Sequence, residues 1–220
     1  MKIRKNKIYA VITGDIVRSS RLPLARRKKL VPDISAASDR LRKFFGDIVP
    51  LPVDIFRGDS WQMLISDHAS VVTVAVFFRA TLKHLWKSGN IDTRIAIGMG
   101  KVEFIPGDRV SEGDGEAFRL SGEALESMDK HVRMQIGFSD KELEKRLNVV
   151  IHLVDAIVMR WTDKQALVVS GALRGLKQDE ITKLWKPPIT QQNVAKHLLK
   201  AKWYQVGSAL DHIKYNLDKL

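Results

Sequence analysis

Residues 8–20 read Ile-Tyr-Ala-Val-Ile-Thr-Gly-Asp-Ile-Val-Arg-Ser-Ser. Ile8 to Thr13 is a short β-rich apolar run, too short for a helix and closed by Gly14. It predicts a strand buried on both faces. Asp15 follows at once, and a carboxylate at the exit of a buried strand is costly unless a cation meets it there. Residues 53–65 have the same form. Val53–Phe56 and Trp61–Ile65 are strand-like runs around Arg57-Gly58-Asp59-Ser60, which makes a hairpin with Asp59 at its tip. If the hairpin pairs beside the first strand, Asp15 and Asp59 converge, and two converging carboxylates suit a divalent cation carrying a polyphosphate. Arg57 and Ser60 flank the second acid and Ser19 follows the first, all placed to meet phosphate. The alternative is local: Asp15 caps the next helix and Asp59 satisfies a turn.

Outward from these two stretches the periodicity changes. Residues 22–45 carry a helical stripe (Leu24, Leu30, Ile34, Leu41, Phe44, Phe45), with Pro32 expected to kink or split it. His68 to Lys87 is a second helix, closed by Ser88-Gly89-Asn90. Asp92 to Lys101 is a strand. Strand, helix, hairpin, helix, strand is the βαββαβ plan of ferredoxin-like and palm-type sheets, with helices expected on one face. The fold class is therefore α+β. Residues 106–116 are rich in turn formers and read as a mobile loop; no Gly-Lys-Ser/Thr follows to make a phosphate cradle. A helix over 116–129, a strand over 133–138 and a helix over 140–160 complete this part.

Trp161-Thr162-Asp163 marks a change of character, so the chain divides into an α+β domain, 1–160, and an all-helical domain, 161–220. Four helices are expected in the second, starting near Asp163, Gln178, Thr190 and Trp203. The last two resemble a helix-turn-helix, with Ala195 as the small residue where they cross and Val206 and Leu210 holding the second helix. Lys202, Tyr204, Gln205 and Ser208 would then face a groove of double-stranded DNA, and Lys196 and Lys200 its phosphates. An ordinary helical bundle is the alternative.

Composition narrows the classes. The 220 residues carry a formal charge of +12, which favours polyanionic partners. There is no cysteine, which excludes disulfides, thiol catalysis and cysteine-bound zinc. The six histidines are scattered. No run approaches the ~20 apolar residues of a membrane span, so no membrane partner and a cytoplasmic location are expected.

The strand ending in Asp-Ile, the Gly-Asp hairpin and Arg94-x-x-Ile97-Gly98-x-Gly100 resemble the class III nucleotide cyclase catalytic fold. The Thr-Gly-Asp-Ile-Val-x-Ser wording and the C-terminal helix pair resemble the SatD family of bacterial proteins over nearly the whole chain. The cyclase resemblance implies that Asp15 and Asp59 hold Mg2+ or Mn2+ on a nucleoside triphosphate. It also implies a two-fold homodimer with residues 112–128 near the interface. The cyclase Asn-x-x-x-Arg pair falls on Arg119 and Glu123, and an acid at the second position opposes the developing negative charge. Arg119 is left as a nucleotide contact. Three functions follow: a DNA-binding regulator whose cyclase-like domain binds a nucleotide or metal, an active nucleotidyl cyclase, and a non-catalytic dimerisation scaffold.

Overall fold

Tyr9–Ile16 forms β1, the middle strand of a five-stranded sheet of order β2-β3-β1-β4-β5. It pairs antiparallel with β3 (Ser60–Ile65) on one side and β4 (Thr93–Gly100) on the other. β2 (Asp54–Phe56) pairs with β3, and β5 (Met134–Gly137) runs parallel to β4 at the far edge. The first four strands stand in the order that the βαββαβ plan requires. This computed structural model describes residues 3–4, 7–56, 58–87 and 91–220, so the expectations placed on Arg57 and on Ser88-Gly89-Asn90 lie outside the described residues.

Strand alternation divides the core. Ala10, Ile12 and Ile16 of β1 join Trp61, Met63, Ile95, Ile97 and Met99 on one face, with side chains of α1 (Leu24–Phe45), α2 (Val71–Trp86) and α4 (Lys141–Met159). Tyr9 and Val11 point the other way and pack with Leu64, Ala117 and Phe118 beneath α3 (Glu116–Glu126). Helices thus cover both faces, not one. The reason lies in β1 itself, because a strand apolar on both sides needs a cover on both. Small residues admit that cover. A Cβ on Gly98 would overlap the backbone of Ala117 and Ser121, and one on Gly137 would sit 2.7 Å from the Leu120 carbonyl.

Two further expectations are corrected. Pro32 lies inside α1 without splitting it. Pro32 and Lys28 are both exposed, so the carbonyl freed by the missing N–H can turn to water. The 106–116 loop is tied down: the Asp54 carboxylate accepts from the Ser111 amide at 2.9 Å and from its hydroxyl at 2.6 Å, and Phe104 bridges to Asp114.

The last sixty residues form α5 (Asp163–Ala172), α6 (Gln178–Thr182), α7 (Gln191–Lys200) and α8 (Trp203–Leu217). Thr162 caps α5 with a reciprocal capping box and Thr190 caps α7, as their positions predict. The helices after residue 160 pack against the sheet layer. Ala166, Val169, Val206, Leu210, Ile213 and Leu217 all belong to the same core cluster as the sheet. Each fully buried Val, Leu or Ile contributes about 1.5–3 kcal/mol, so the apolar side of α8 is held chiefly by the α+β layer. Ala195 is exposed and does not mark a helix crossing; Val194 is the buried residue of α7, in a small separate cluster with Val168 and Ile181. The left-handed turn residue between the two helices is Lys202, at φ 56°.

Candidate anion-binding site

The exit of β1 gathers four of the six residues selected for a metal or nucleotide, Asp15, Ser19, Asp59 and Ser60. In the sheet register Asp15 lies opposite Ser60 on β3 and Arg94 on β4, and the Ile16 amide donates to the Asp59 carbonyl at 3.2 Å. The backbones of the two acids therefore meet as expected. Their carboxylates part. Asp15 receives a two-pronged hydrogen bond from Arg94, with Nε 2.9 Å from Oδ1 and Nη2 against Oδ2. Asp59 accepts a hydrogen bond from the Ser19 hydroxyl. Between them Arg18 takes a left-handed conformation at φ 56°, which folds the chain back so that Ser19 reaches the hairpin.

The two acids open onto different cavities. Asp15 lines one of about 270 Å3 together with Arg18, Arg94, Lys130 and Arg133. Asp59 lines another of about 390 Å3 with Ser19, Ser20, Arg27, Lys28 and Leu30. A metal pair does not fit this donor set. Both Asp15 oxygens are engaged by Arg94, Asp59 belongs to the second cavity, and no group of three or more His, Asp or Glu able to hold an ion occurs among the described residues. Asp15 does not cap the segment that follows, whose N-cap residues are Arg18 and Pro23 with no side-chain cap bond.

The first cavity is cationic. Four basic side chains face one carboxylate, and that carboxylate is already matched to Arg94. The hydrogen bonds to Asp15 hold the Arg94 guanidinium above its ordinary pKa, against the pull of burial and with the help of the Asp15 charge. Among the described residues no ion pair engages Arg18, Lys130 or Arg133. Arg133 Nη1 donates to the Lys130 and Val132 carbonyls at 2.7 and 2.8 Å, which fixes the guanidinium at the cavity wall. Arg94 and Arg133 are thus held in place while Arg18 and Lys130 are exposed, a set of charged donors suited to phosphate oxygens.

A buried charge cluster supports the walls. Arg79 on α2 is wholly buried and holds two carboxylates, with Nε and Nη2 each 2.8 Å from Asp92 and Nη1 2.5 Å from Asp155 on α4. Lys83, one turn along α2, lies 3.3 Å from Asp92 and donates to the Met159 carbonyl at 3.2 Å. The second oxygen of Asp155 accepts the Arg133 amide at 2.7 Å, and the Asp92 carbonyl accepts the Val17 amide at 2.9 Å. Thr93 donates its hydroxyl to the Asp15 carbonyl at 2.7 Å. The cluster thus sets three cavity walls at once: the β1 exit, the start of β4 and the approach to β5. Burial pushes the Asp92 carboxyl up, but the charge and hydrogen bonds of Arg79 and the charge of Lys83 prevail and hold it below the usual carboxylate range. Burial also works against the Arg79 charge, and the two carboxylates outweigh it.

Sequence reasoning passed over Lys130, Arg133 and the whole buried cluster. A signal existed in Arg79 and Lys83, four residues apart in a predominantly apolar helix, and in Asp155 beside Val154 on the inner stripe of α4. Ser60 stands opposite Asp15, on the α3 side of the sheet. Arg119 lies near the start of α3, 57% exposed and 3.4 Å from Asp114, at the opposite end of the sheet from Asp15. It does not join the cavity within one chain. Lys196, Lys200, Lys202, Gln205 and Ser208 are exposed, and Tyr204 is 81% exposed.

No protein-family model matches the chain, and the curated proteins give no significant match. Solved structures do. One is the catalytic core of a rhodopsin-guanylyl cyclase with converted specificity in complex with ATPαS, at 16% identity and TM-score 0.41, covering 59% of this chain and 77% of that one. A bacterial light-regulated adenylyl cyclase matches at 16% identity and TM-score 0.39, covering 59% and 75%. The adenylyl cyclase CyaB from P. aeruginosa matches at 17% identity and TM-score 0.36, covering 61% and 78%. At such distances the names describe the matched proteins alone, and the chemistry of this site rests on its own residues.

Proposed function

We propose that the α+β layer is a receptor for a nucleoside polyphosphate, held by arginine and lysine side chains and not by a metal pair, and that it does not turn the ligand over. The observation that carries this reading is the convergence of Arg18, Arg94, Lys130 and Arg133 on one cavity against a single, already paired carboxylate. Each free cation there offers a charged hydrogen bond worth about 1.5–3 kcal/mol. The choice of a nucleotide over bare phosphate rests on the neighbouring cavity. There Leu30 and Val31 offer an apolar wall beside Ser19 and Asp59, across the same short segment of chain. Non-catalysis rests on the donor set described for Asp15 and Asp59, and on Glu123 standing where the cyclase resemblance calls for an arginine.

The test is calorimetric titration of the full chain with ATP and GTP, with Mg2+ and with EDTA. Binding should persist in EDTA and weaken at least tenfold in Arg133→Ala and in Lys130→Ala, since 1.4 kcal/mol corresponds to a factor of ten. Binding that appears only with Mg2+, vanishes in Asp59→Asn and ignores Arg133→Ala would restore the metal reading, as would formation of cyclic product.

A second reading applies to the C-terminal helices. The outer side of α7 and α8 carries Lys196, Lys200 and Lys202 beside a largely exposed tyrosine, Tyr204, and this favours a nucleic-acid surface. The regulator in this reading joins a nucleotide-sensing layer to a DNA-facing helix through one shared core.

A further inference from the structure

Away from the β1 exit, a second cationic cavity of about 280 Å3 opens at the seam between the α+β layer and the C-terminal helices. Arg40 and Lys43 reach it from α1, His84 from α2, and Arg174 from the turn after α5; among the described residues no carboxylate lines it. Its floor is polar as well as apolar, with Thr81 and Ser170 both buried beneath it. None of these residues is shared with the cavity at Asp15.

The arginine at its edge is unusual. The Arg174 guanidinium lies over the Phe44 ring, 3.6 Å from the centroid, and its buried Nε has no hydrogen-bond partner among the described residues. Burial holds its pKa below the ordinary guanidinium value, slightly offset by the charge of Glu180. No ion pair engages Arg40, Lys43 or Arg174 among the described residues. The Nδ1 of His84 faces the Asp163 carbonyl at 3.2 Å, a contact that fixes the ring plane at the cavity wall. A buried guanidinium Nε without a partner among the described residues, beside two further and exposed cations, is an arrangement that a bound anion completes.

We infer that this seam binds a small phosphorylated molecule, and that its phosphate, shared between Arg40, Lys43 and Arg174, clamps α5 and the turn after it onto α1 and α2. The site joins elements from both sides of residue 160, so its occupancy tightens the attachment of the C-terminal helices to the sheet layer. It is separate from the nucleotide cavity, and the two can stand or fall independently.

The probe is pyrophosphate, titrated into the full-length Arg133→Ala chain so that the β1-exit cavity is weakened. One site should remain by calorimetry, and hydrogen exchange should slow in residues 163–176 while residues 130–134 are unchanged. Arg174→Gln and, separately, the exposed Arg40→Gln should each weaken that site at least tenfold. Absence of binding to Arg133→Ala would overturn the inference, as would binding that neither Arg174→Gln nor Arg40→Gln disturbs or protection confined to residues 130–134. Failure of nucleotide binding in the wild type with this pyrophosphate site intact would sink the proposed function alone.

Discussion

Replacement of Arg79 by leucine should be the most destabilising single change in the cluster beneath the cavity. Arg79 is fully buried and makes three charged hydrogen bonds of 2.5–2.8 Å to two carboxylates. Without it Asp92 keeps Lys83 at 3.3 Å and the Thr93 amide at 2.9 Å, and Asp155 keeps the Arg133 amide, so one of the two carboxylates loses every cation and the other keeps one. Breaking a buried pair by removing one partner costs about 3–5 kcal/mol, because a desolvated charge is left behind. For a chain of this length each kcal/mol lowers Tm by about 2–4 °C, so Arg79→Leu should melt roughly 6–20 °C below wild type. Urea unfolding followed by tryptophan fluorescence measures the free energy, and differential scanning calorimetry the Tm. Neutralising the whole cluster (Arg79→Met, Lys83→Met, Asp92→Asn, Asp155→Asn) should recover most of the loss, since the penalty comes from the orphaned charges. A loss below about 1 kcal/mol in Arg79→Leu would refute the reasoning, and so would a quadruple variant less stable than the single one.

The remaining predictions concern acid, packing, assembly and DNA. Asp92 is held below the usual carboxylate range, so its contribution is intact above the ordinary carboxylate pKa and is lost as pH falls through the lower folded-state value. The urea midpoint should drop steeply below about pH 4, and less steeply in Asp92→Asn; parallel acid profiles would contradict this. Gly98→Ala should cost about 1–3 kcal/mol by pushing α3 off β4, whereas Gly122→Ala, which meets no atom within 4 Å, should gain about 0.5–1 kcal/mol of helix propensity. Light scattering should give a dimer mass that falls to the monomer when residues 112–128 carry added charge, and a wild-type monomer at high concentration rejects the two-fold assembly. Affinity for double-stranded DNA should fall with salt, with the slope reduced by about one in Lys196→Ala, while Gln205→Ala should relax sequence preference at constant slope. Equal behaviour of the two variants would leave α8 a packing helix with a basic rim.

The short apolar run of residues 8–13 and the strand-like runs within 53–65, with Gly58-Asp59 between them, place β1, β2 and β3, because a buried strand and a tight hairpin are written in local residue choice. The capping threonines of α5 and α7 were legible for the same reason, since a cap is a contact within three residues. The approach of the Asp59 backbone to Asp15 is expected on the condition that the hairpin pairs beside β1, as it does. Tertiary structure alone decided where those carboxylates turn. The partner of Asp15 is a strand neighbour 79 residues away, and that of Asp59 is a serine displaced by the left-handed turn at Arg18. The Arg79 cluster joins α2, the residue before β4 and α4 across separations of 13 and 76 residues, and no local periodicity encodes such a meeting. The same holds for α8. Its apolar stripe was plain, but a stripe states only that a face is buried; the adjoining surfaces decided that it lies chiefly against the sheet layer and not mainly against α7.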